Sequence, residues 1–462
     1  MVSSCTGASP AAPPAPSSSR TRPSGPPDWP ALRERLAGRL VLPGEPGYDT
    51  ARVAFNTLFD GRTPAAVAGC AGAADVQACV EVARDAGVPL AARSGGHSYV
   101  GYSVPDGGLV ADLGRMSGVD VAPDGTVEIG AGARLADVYA ALAGAGRCLP
   151  AGTGPGVGIA GLALGGGIGV LARKFGLTCD RLVSARVVTA DGVLRTVSAE
   201  REPELFWALR GGGGGNFGIV TSFTFATEPA PDLTVFSLRF PASAVVEVLD
   251  AWQRWVPVTP DELWSNCVLS TGSPPVCRVG GCFVGSPAGL EPVLAGLGVR
   301  PSGRLVQGKD FLGAMRYFAG GEPNRATFVA SSRMLPAAVD AGRLRAIMDR
   351  PPGMNVLLDS FGGAIARLAP DATAFPHRTV LASAQVYASA TPATRDTVTA
   401  AVAQVRDAIG AMTGNTGYVN YMDPGLTDWP TAYYGSNLPR LREVAGKYDP
   451  DGVFAFPQAV RP

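Results

Sequence analysis

Arg93-Ser94-Gly95-Gly96-His97-Ser98-Tyr99 puts a guanidinium, three hydroxyls, two bare peptide units and an imidazole within seven consecutive residues. The stretch follows an apolar run, Val88-Pro89-Leu90-Ala91-Ala92, which reads as a short buried strand. A strand that breaks into Ser-Gly-Gly exposes consecutive backbone N–H groups with no side chain in the way. Such a turn is a nest for an anion, and Arg93 is expected to add a positive charge beside it. His97 closes the nest and is one of only two histidines in the chain. On local pattern alone, a glycine turn followed by a surface or hydrogen-bonded histidine explains these residues as well.

A second glycine-rich region runs from Gly152 to Gly169 and contains a literal G-x-G-x-x-G, Gly156-Val157-Gly158-Ile159-Ala160-Gly161, with Asp180 further on. A dinucleotide fingerprint of the Rossmann type must follow a hydrophobic strand and open a helix. Here Pro150 and Pro155 flank the approach and deny it a central strand, because proline lacks the ladder N–H. Gly165-Gly166-Gly167 then weakens any long helix, at roughly 1 kcal/mol per glycine. An NAD dehydrogenase is thus the weaker reading, and the region is expected to press backbone against a large flat ligand. A third constellation, Tyr418, Asn420, Tyr421, Tyr433, Tyr434 and Asn437, collects hydroxyls and amides that need partners if buried.

Arg93–Tyr99 resembles the flavin-attachment loop of the berberine-bridge-enzyme-like FAD oxidoreductases, within the vanillyl-alcohol-oxidase superfamily, and the resemblance extends over most of the chain. It implies that Arg93, Ser94, Gly95, Gly96, His97 and Ser98 cradle FAD, with His97 covalently bonded to the 8α-methyl carbon. Thr153, Gly154, Gly158, Gly161, Gly165, Gly166 and Gly169 would line the isoalloxazine and pyrophosphate, and Gly218 and Val220 would add the last contact of the first domain. Many members carry a second attachment cysteine where this chain has Gly154. Cys148 falls too early to replace it, so a single link through His97 is expected, which counts against bulky oligosaccharide substrates. Tyr421 would be the catalytic base, Tyr434 and Asn437 would contact FAD, and His377 would be structural. A phenol titrates near pH 10, so Tyr421 is expected to need a cationic neighbour. Val157 and Ile159 are candidates for setting oxygen access.

The implied activity is hydride removal from a hydroxyl- or amine-bearing carbon of a small molecule, with O2 reoxidising the flavin to give H2O2. The family oxidises sugars, polyketide glycosides, alkaloid-like amines and phenols. An FAD dehydrogenase with another acceptor and a non-catalytic flavin-binding protein are the alternatives.

The 462 residues carry 39 basic and 39 acidic side chains, which argues against nucleic acid or an anionic membrane as the main partner. No apolar run approaches the roughly 18–20 residues of a membrane span. A monomer is expected. The eight cysteines show no paired C-x-x-C spacing, so a structural metal is not expected; Cys70 with Cys79, or Cys277 with Cys282, are candidate disulfides if the protein is exported. Val2-Ser3-Ser4-Cys5 resembles the end of a lipoprotein signal, which leaves cytoplasmic and exported locations both open.

These residues need elements to hold them. Residues 1–30 are Pro/Ala/Ser-rich and expected to be a disordered tail. Residues 31–230 are read as an FAD-binding domain, 231–412 as a substrate domain, and 413–462 as a segment returning to the first. In the first domain, helices are predicted from Asp28, Ala74 and Leu135, with strands over 109–113, 126–130, 183–189 and 219–225. That β-β-α rhythm points to an α+β fold and not a doubly wound sheet. Beyond Pro229, strands over 233–240, 263–269, 278–284, 327–331 and 380–388 and helices over 244–255 and 393–409 predict an antiparallel sheet backed by helices. Trp252, Trp255, Trp264, Tyr317, Phe318, Phe361 and Tyr387 are candidate pocket walls.

Overall fold

Short apolar runs bounded by glycine and proline pair into four sheets in the computed structural model, which describes residues 25–321, 325–351 and 353–462. The Val2-Ser3-Ser4-Cys5 motif and most of the expected tail lie outside the described residues; the helix Trp29–Arg35, capped by the Asp28 side chain, begins within the span assigned to the tail.

A four-stranded sheet orders Arg39–Val41, Ala66–Gly69, Leu109–Asp112 and Leu90–Arg93, the last three parallel. Its helix Ala73–Ala86 ends at Gly87, whose positive φ of 66° continues the chain where a side chain would be strained. A five-stranded antiparallel sheet orders Val119–Val121, Thr126–Gly130, Ile219–Ala226, Leu182–Val188 and Leu194–Ser198. Cys148 and Arg147 pair with Glu228 and Pro229 in a two-stranded ribbon.

The remaining sheet is antiparallel throughout and has seven strands, in the order Gly303–Lys309, Leu233–Arg239, Val276–Val284, Leu263–Ser270, Met354–Ser360, Ala382–Ser389 and Phe328–Leu335. Helices Val245–Trp255 and Arg395–Thr413 back it, as expected, and Pro287–Ala295, Phe311–Ala319 and Ala341–Ile347 were not foreseen. Neither were the edge strand Gly303–Lys309 and the interior strand Met354–Ser360. The first is rich in polar and glycine residues; the second follows a Pro-rich turn and ends on Asp359 and Ser360, which disguised its alternation.

The two cysteine pairs differ. Cys70 and Cys79 are buried thiols with Sγ atoms 3.9 Å apart. Cys277 and Cys282 lie five positions apart on one strand, so their side chains leave opposite faces and the expected pairing is sterically impossible. Among the described residues no three His, Cys, Asp or Glu side chains gather as a metal site, and no helix is long and apolar enough to cross a membrane.

One buried ion pair ties the seven-stranded half to the glycine-rich half. Arg378, fully buried, donates from both Nη atoms to the two oxygens of Asp180 at 2.8 Å, and Asp180 also accepts from Leu177 N. Asp180 is therefore not available to a ribose, which removes the last support for the Rossmann reading. Replacing Arg378 by Met strands a buried carboxylate, and we expect a loss of about 3–5 kcal/mol, part of which a second change, Asp180→Leu, restores. Thermal unfolding of the single and double variants checks this.

Candidate active site

A cavity of about 2360 Å³ is walled by the two glycine-rich loops on one side and the seven-stranded sheet on the other. It is more than twice the upper end of the roughly 300–1,000 Å³ of an ordinary small-molecule pocket, enough for a large cofactor together with a substrate.

The two loops meet backbone to backbone. A Cβ on Gly95 would lie 2.3 Å from Gly158 N and 2.5 Å from Gly156 O; one on Gly158 would lie 2.1 Å from Ser94 Oγ. Such distances admit only hydrogen at both positions. The result is a strip of bare peptide along the cavity floor, the shape that a dinucleotide's phosphates and flat ring require. His97 stands on this strip, its Nε2 3.0 Å from where a Gly156 Cβ would be. Its ring stacks on Phe55 with centroids 3.9 Å apart and planes 17° from parallel. Burial, reinforced by the Arg134 charge, pushes its pKa down to about 4. At neutral pH the imidazole is uncharged, so a ring nitrogen keeps its lone pair.

Several expected residues do something else. Arg93 lines the cavity, yet its guanidinium is committed to Asp112 (Nε to Oδ2, 2.7 Å) and to the carbonyls of Ala51 and Val53. It braces the loop and is not the free cation expected beside the nest. Ser94 Oγ donates to Ala131 O, and Ser98 Oγ accepts from Tyr102 N, so both hydroxyls hold the turn in shape. Gly96, Thr153, Gly154, Gly158, Gly161, Gly169, Gly218 and Val220 line the cavity as expected. Gly165 and Gly166 do not. They are small because Asn420, Tyr418 and Phe375 pack against them: a Cβ on Gly165 would sit 2.0 Å from Asn420 Oδ1. Tyr434 and Asn437 also lie behind the wall. Tyr434 donates to Gly212 O at 3.0 Å, and Asn437 Nδ2 donates to Pro370 O at 2.8 Å. Of the oxygen-access candidates, Val157 lines the cavity and Ile159 is buried core.

Of the aromatic candidates, Trp264, Phe318 and Tyr387 line the cavity. Trp252, Trp255 and Phe361 are core, and Tyr317 packs beside it. His377, away from the cavity, packs edge-on to Phe375.

Tyr421 enters the cavity from the C-terminal segment, half-buried, its ring stacked on Tyr99 at 5.1 Å and 7° and met edge-on by Tyr418 at 4.9 Å. Gln385 donates to Tyr99 OH and so steadies the stack. Burial pushes the Tyr421 phenol well above its ordinary pKa, and its acidic neighbours Tyr99, Asp359 and Tyr418 push the same way. Among the described residues no cation is found to lower it, and the Asp359 carboxyl group acts on it in the opposite sense. Asp359 projects from the overlooked strand Met354–Ser360, opposite Asn266. Burial raises it to about 7, against a hydrogen bond from Asn266 that lowers it. Sequence reasoning missed Asp359 because it missed its strand; the alternation of Asn355, Leu357 and Asp359 against Met354, Val356 and Leu358 was the available signal.

Comparison with known proteins agrees with this geometry. Residues 64–198 match the family model of an FAD binding domain, and residues 417–461 match that of berberine and berberine-like proteins. An uncharacterized FAD-linked oxidoreductase of Bacillus subtilis, YgaK, is 36% identical over 444 residues, covering 93% of this chain and 98% of its own. The solved structure of a berberine-bridge-like protein of Physcomitrella patens superposes with a TM-score of 0.87 at 30% identity, over 93% of this chain and 98% of its own. Glucooligosaccharide oxidase of Acremonium strictum, whose structure is described as holding 6-S-cysteinyl, 8α-N1-histidyl FAD, superposes with a TM-score of 0.84 at 29% identity, over 93% and 99%.

Because Gly158 admits no Cβ, Gly158→Ala is expected to part the two loops. The variant should purify with less than a tenth of the wild-type flavin absorbance per protein while keeping its far-ultraviolet circular dichroism.

Proposed function

This chain belongs to the berberine-bridge-enzyme-like FAD-linked oxidoreductases, and on that premise we propose that it is an oxidase of small hydroxyl- or amine-bearing molecules, with FAD held covalently through His97 alone. One observation carries the reading: the bare-backbone cradle bearing a neutral imidazole shares a single cavity with a phenol and a carboxyl group. In this reading residues 31–230 hold the cofactor, 231–412 bind the substrate, and 413–462 bring Tyr421 back over the site.

His97, uncharged at neutral pH, offers the nitrogen lone pair that a bond to a flavin methyl carbon needs. Gly154 supplies no thiol, and Cys148 is buried away from the cavity with its sulfur turned toward Pro229 O, so neither position offers a donor for a second link. FAD, when bound, would accept the hydride of the substrate carbon, that is, its two electrons with one proton, and would pass the two electrons on to O2, giving H2O2. The chain's own part is proton management and positioning. With burial holding its pKa up, Tyr421 does not wait as a phenolate. It takes the proton of the substrate hydroxyl or amine while its own phenolic proton passes to Asp359, whose raised pKa suits it to a base near neutrality. Asn266 orients that carboxylate, and the Tyr99 stack fixes the phenol plane.

The wild-type protein should stay yellow after acid precipitation, and His97→Ala should release its colour to the supernatant. Tyr421→Phe should slow anaerobic flavin bleaching by about 10²-fold or more. For Asp359 the sign is set by its role: a base must be deprotonated, so kcat/KM should rise with pH through about 7 and level off above it. Asp359→Asn should flatten that limb and lower the plateau by about 10²-fold, and a pH profile of initial rates measures both.

A further inference from the structure

The sheet wall that carries Asp359 changes character a few residues along. Opposed residues of antiparallel strands share a face, so the registers Asn266↔Asp359, Val268↔Arg278 and Arg278↔Arg239 place all five side chains toward the cavity, and each lines it. Arg278 stands one strand over and two residues along from Asn266, about 8 Å between Cα atoms, and Arg239 one strand further, about 12 Å. Next outward comes Gly303, opposite Arg239. The Arg239 guanidinium lies over it, where a Gly303 Cβ would be 2.9 Å from Nε.

Directly opposed like charges on neighbouring strands destabilise a sheet unless something neutralises them. The nearby arginines are neutralised: Arg304 by Glu291 and Arg325 by Asp60. Arg239 and Arg278 are exposed and, among the described residues, have no acidic partner. The sole carboxyl group on the cavity face of this sheet is Asp359, at the other end of the wall.

We propose that Arg239 and Arg278 form an anion-binding subsite, so that the substrate carries a carboxylate or phosphate roughly 10 Å from the carbon that is oxidised. Two adjacent guanidiniums present forked donors that match the oxygens of either group. The neutral amide of Asn266 lies between the arginines and Asp359 and suits a hydroxyl in the middle of such a molecule. This subsite rests on the oxidase reading for its position relative to the reaction, but anion binding itself does not require turnover.

The test titrates purified holoenzyme with glucose, glucuronate and glucose 6-phosphate, read by thermal shift and, separately, by anaerobic flavin bleaching. At low salt the anionic sugars should bind at least tenfold more tightly than glucose. That preference should shrink in 0.5 M NaCl, as a screening length of about 4 Å demands, and vanish in the double variant Arg239→Gln/Arg278→Gln, whose flavin content and melting temperature serve as fold controls. Preference for glucuronate alone assigns the subsite to a carboxylate, and for glucose 6-phosphate alone to a phosphate. Equal binding of all three sugars, or a preference that survives in the double variant, overturns the proposal. Anion preference without bleaching by any sugar sustains the subsite and counts against the oxidase reading.

Discussion

Two peptide backbones touching at Gly95 and Gly158 set the geometry of the cofactor side of the site. The contact needs hydrogen at both Cα atoms, and it fixes how far His97 stands from the second loop. Much of the surrounding structure serves to keep these loops in register. Arg93 binds the turn to Asp112, Ser94 reaches across to Ala131, and the isolated bridge Arg134↔Gly158 holds the second loop from below. None of these groups is left to act on a ligand directly. The polar side chains of the loop serve its shape, and the ligand-facing donors are the peptide groups themselves.

The same division holds on the substrate side, with the roles of backbone and side chain exchanged. Here a regular sheet supplies the rigidity, and its side chains face the cavity at fixed two-residue intervals. Tyr421 comes from a different part of the chain, so its position depends on the C-terminal segment docking onto both halves. Tyr418 accepts from Gly167 N at 2.9 Å, its own N donates to Ser332 Oγ at 2.9 Å, and Asn420 donates to Leu162 O at 3.0 Å. Gly165 and Gly166 are what lets that segment approach so closely.

How legible this was in the sequence follows from how local each feature is. That the His97 loop, the cradle glycines and Tyr421 would meet at one cavity was readable because each group lies in a short run of the chain. The antiparallel sheet was readable from its apolar runs. Arg93 was misread because its partner Asp112 is a neighbour only through parallel strand pairing. Gly165, Gly166, Tyr434 and Asn437 were misassigned for a related reason: a glycine that admits a ligand and one that admits another segment look alike in sequence. Asp359 was overlooked because Leu357 and Ser360 interrupt the polar–apolar alternation of its strand, leaving the signal too short to stand out.

In the proposed mechanism, electrostatics favours a phenol with a carboxyl group over a phenol with a cation. A lysine or arginine beside Tyr421 would lower its pKa, but it would also leave a fixed positive charge in a buried site, at a desolvation cost that only a permanent counter-ion offsets. Asp359 avoids this, since a carboxyl group raised to about 7 is neutral for part of the time and ionises at a pH where a base is wanted. The cost of burial that raises its pKa is therefore the same effect that makes it a competent proton acceptor. The segregation of charge along the wall follows: the titrating acid lies inside, where burial tunes it, and the permanently charged arginines stand at the exposed end, where water bears their solvation.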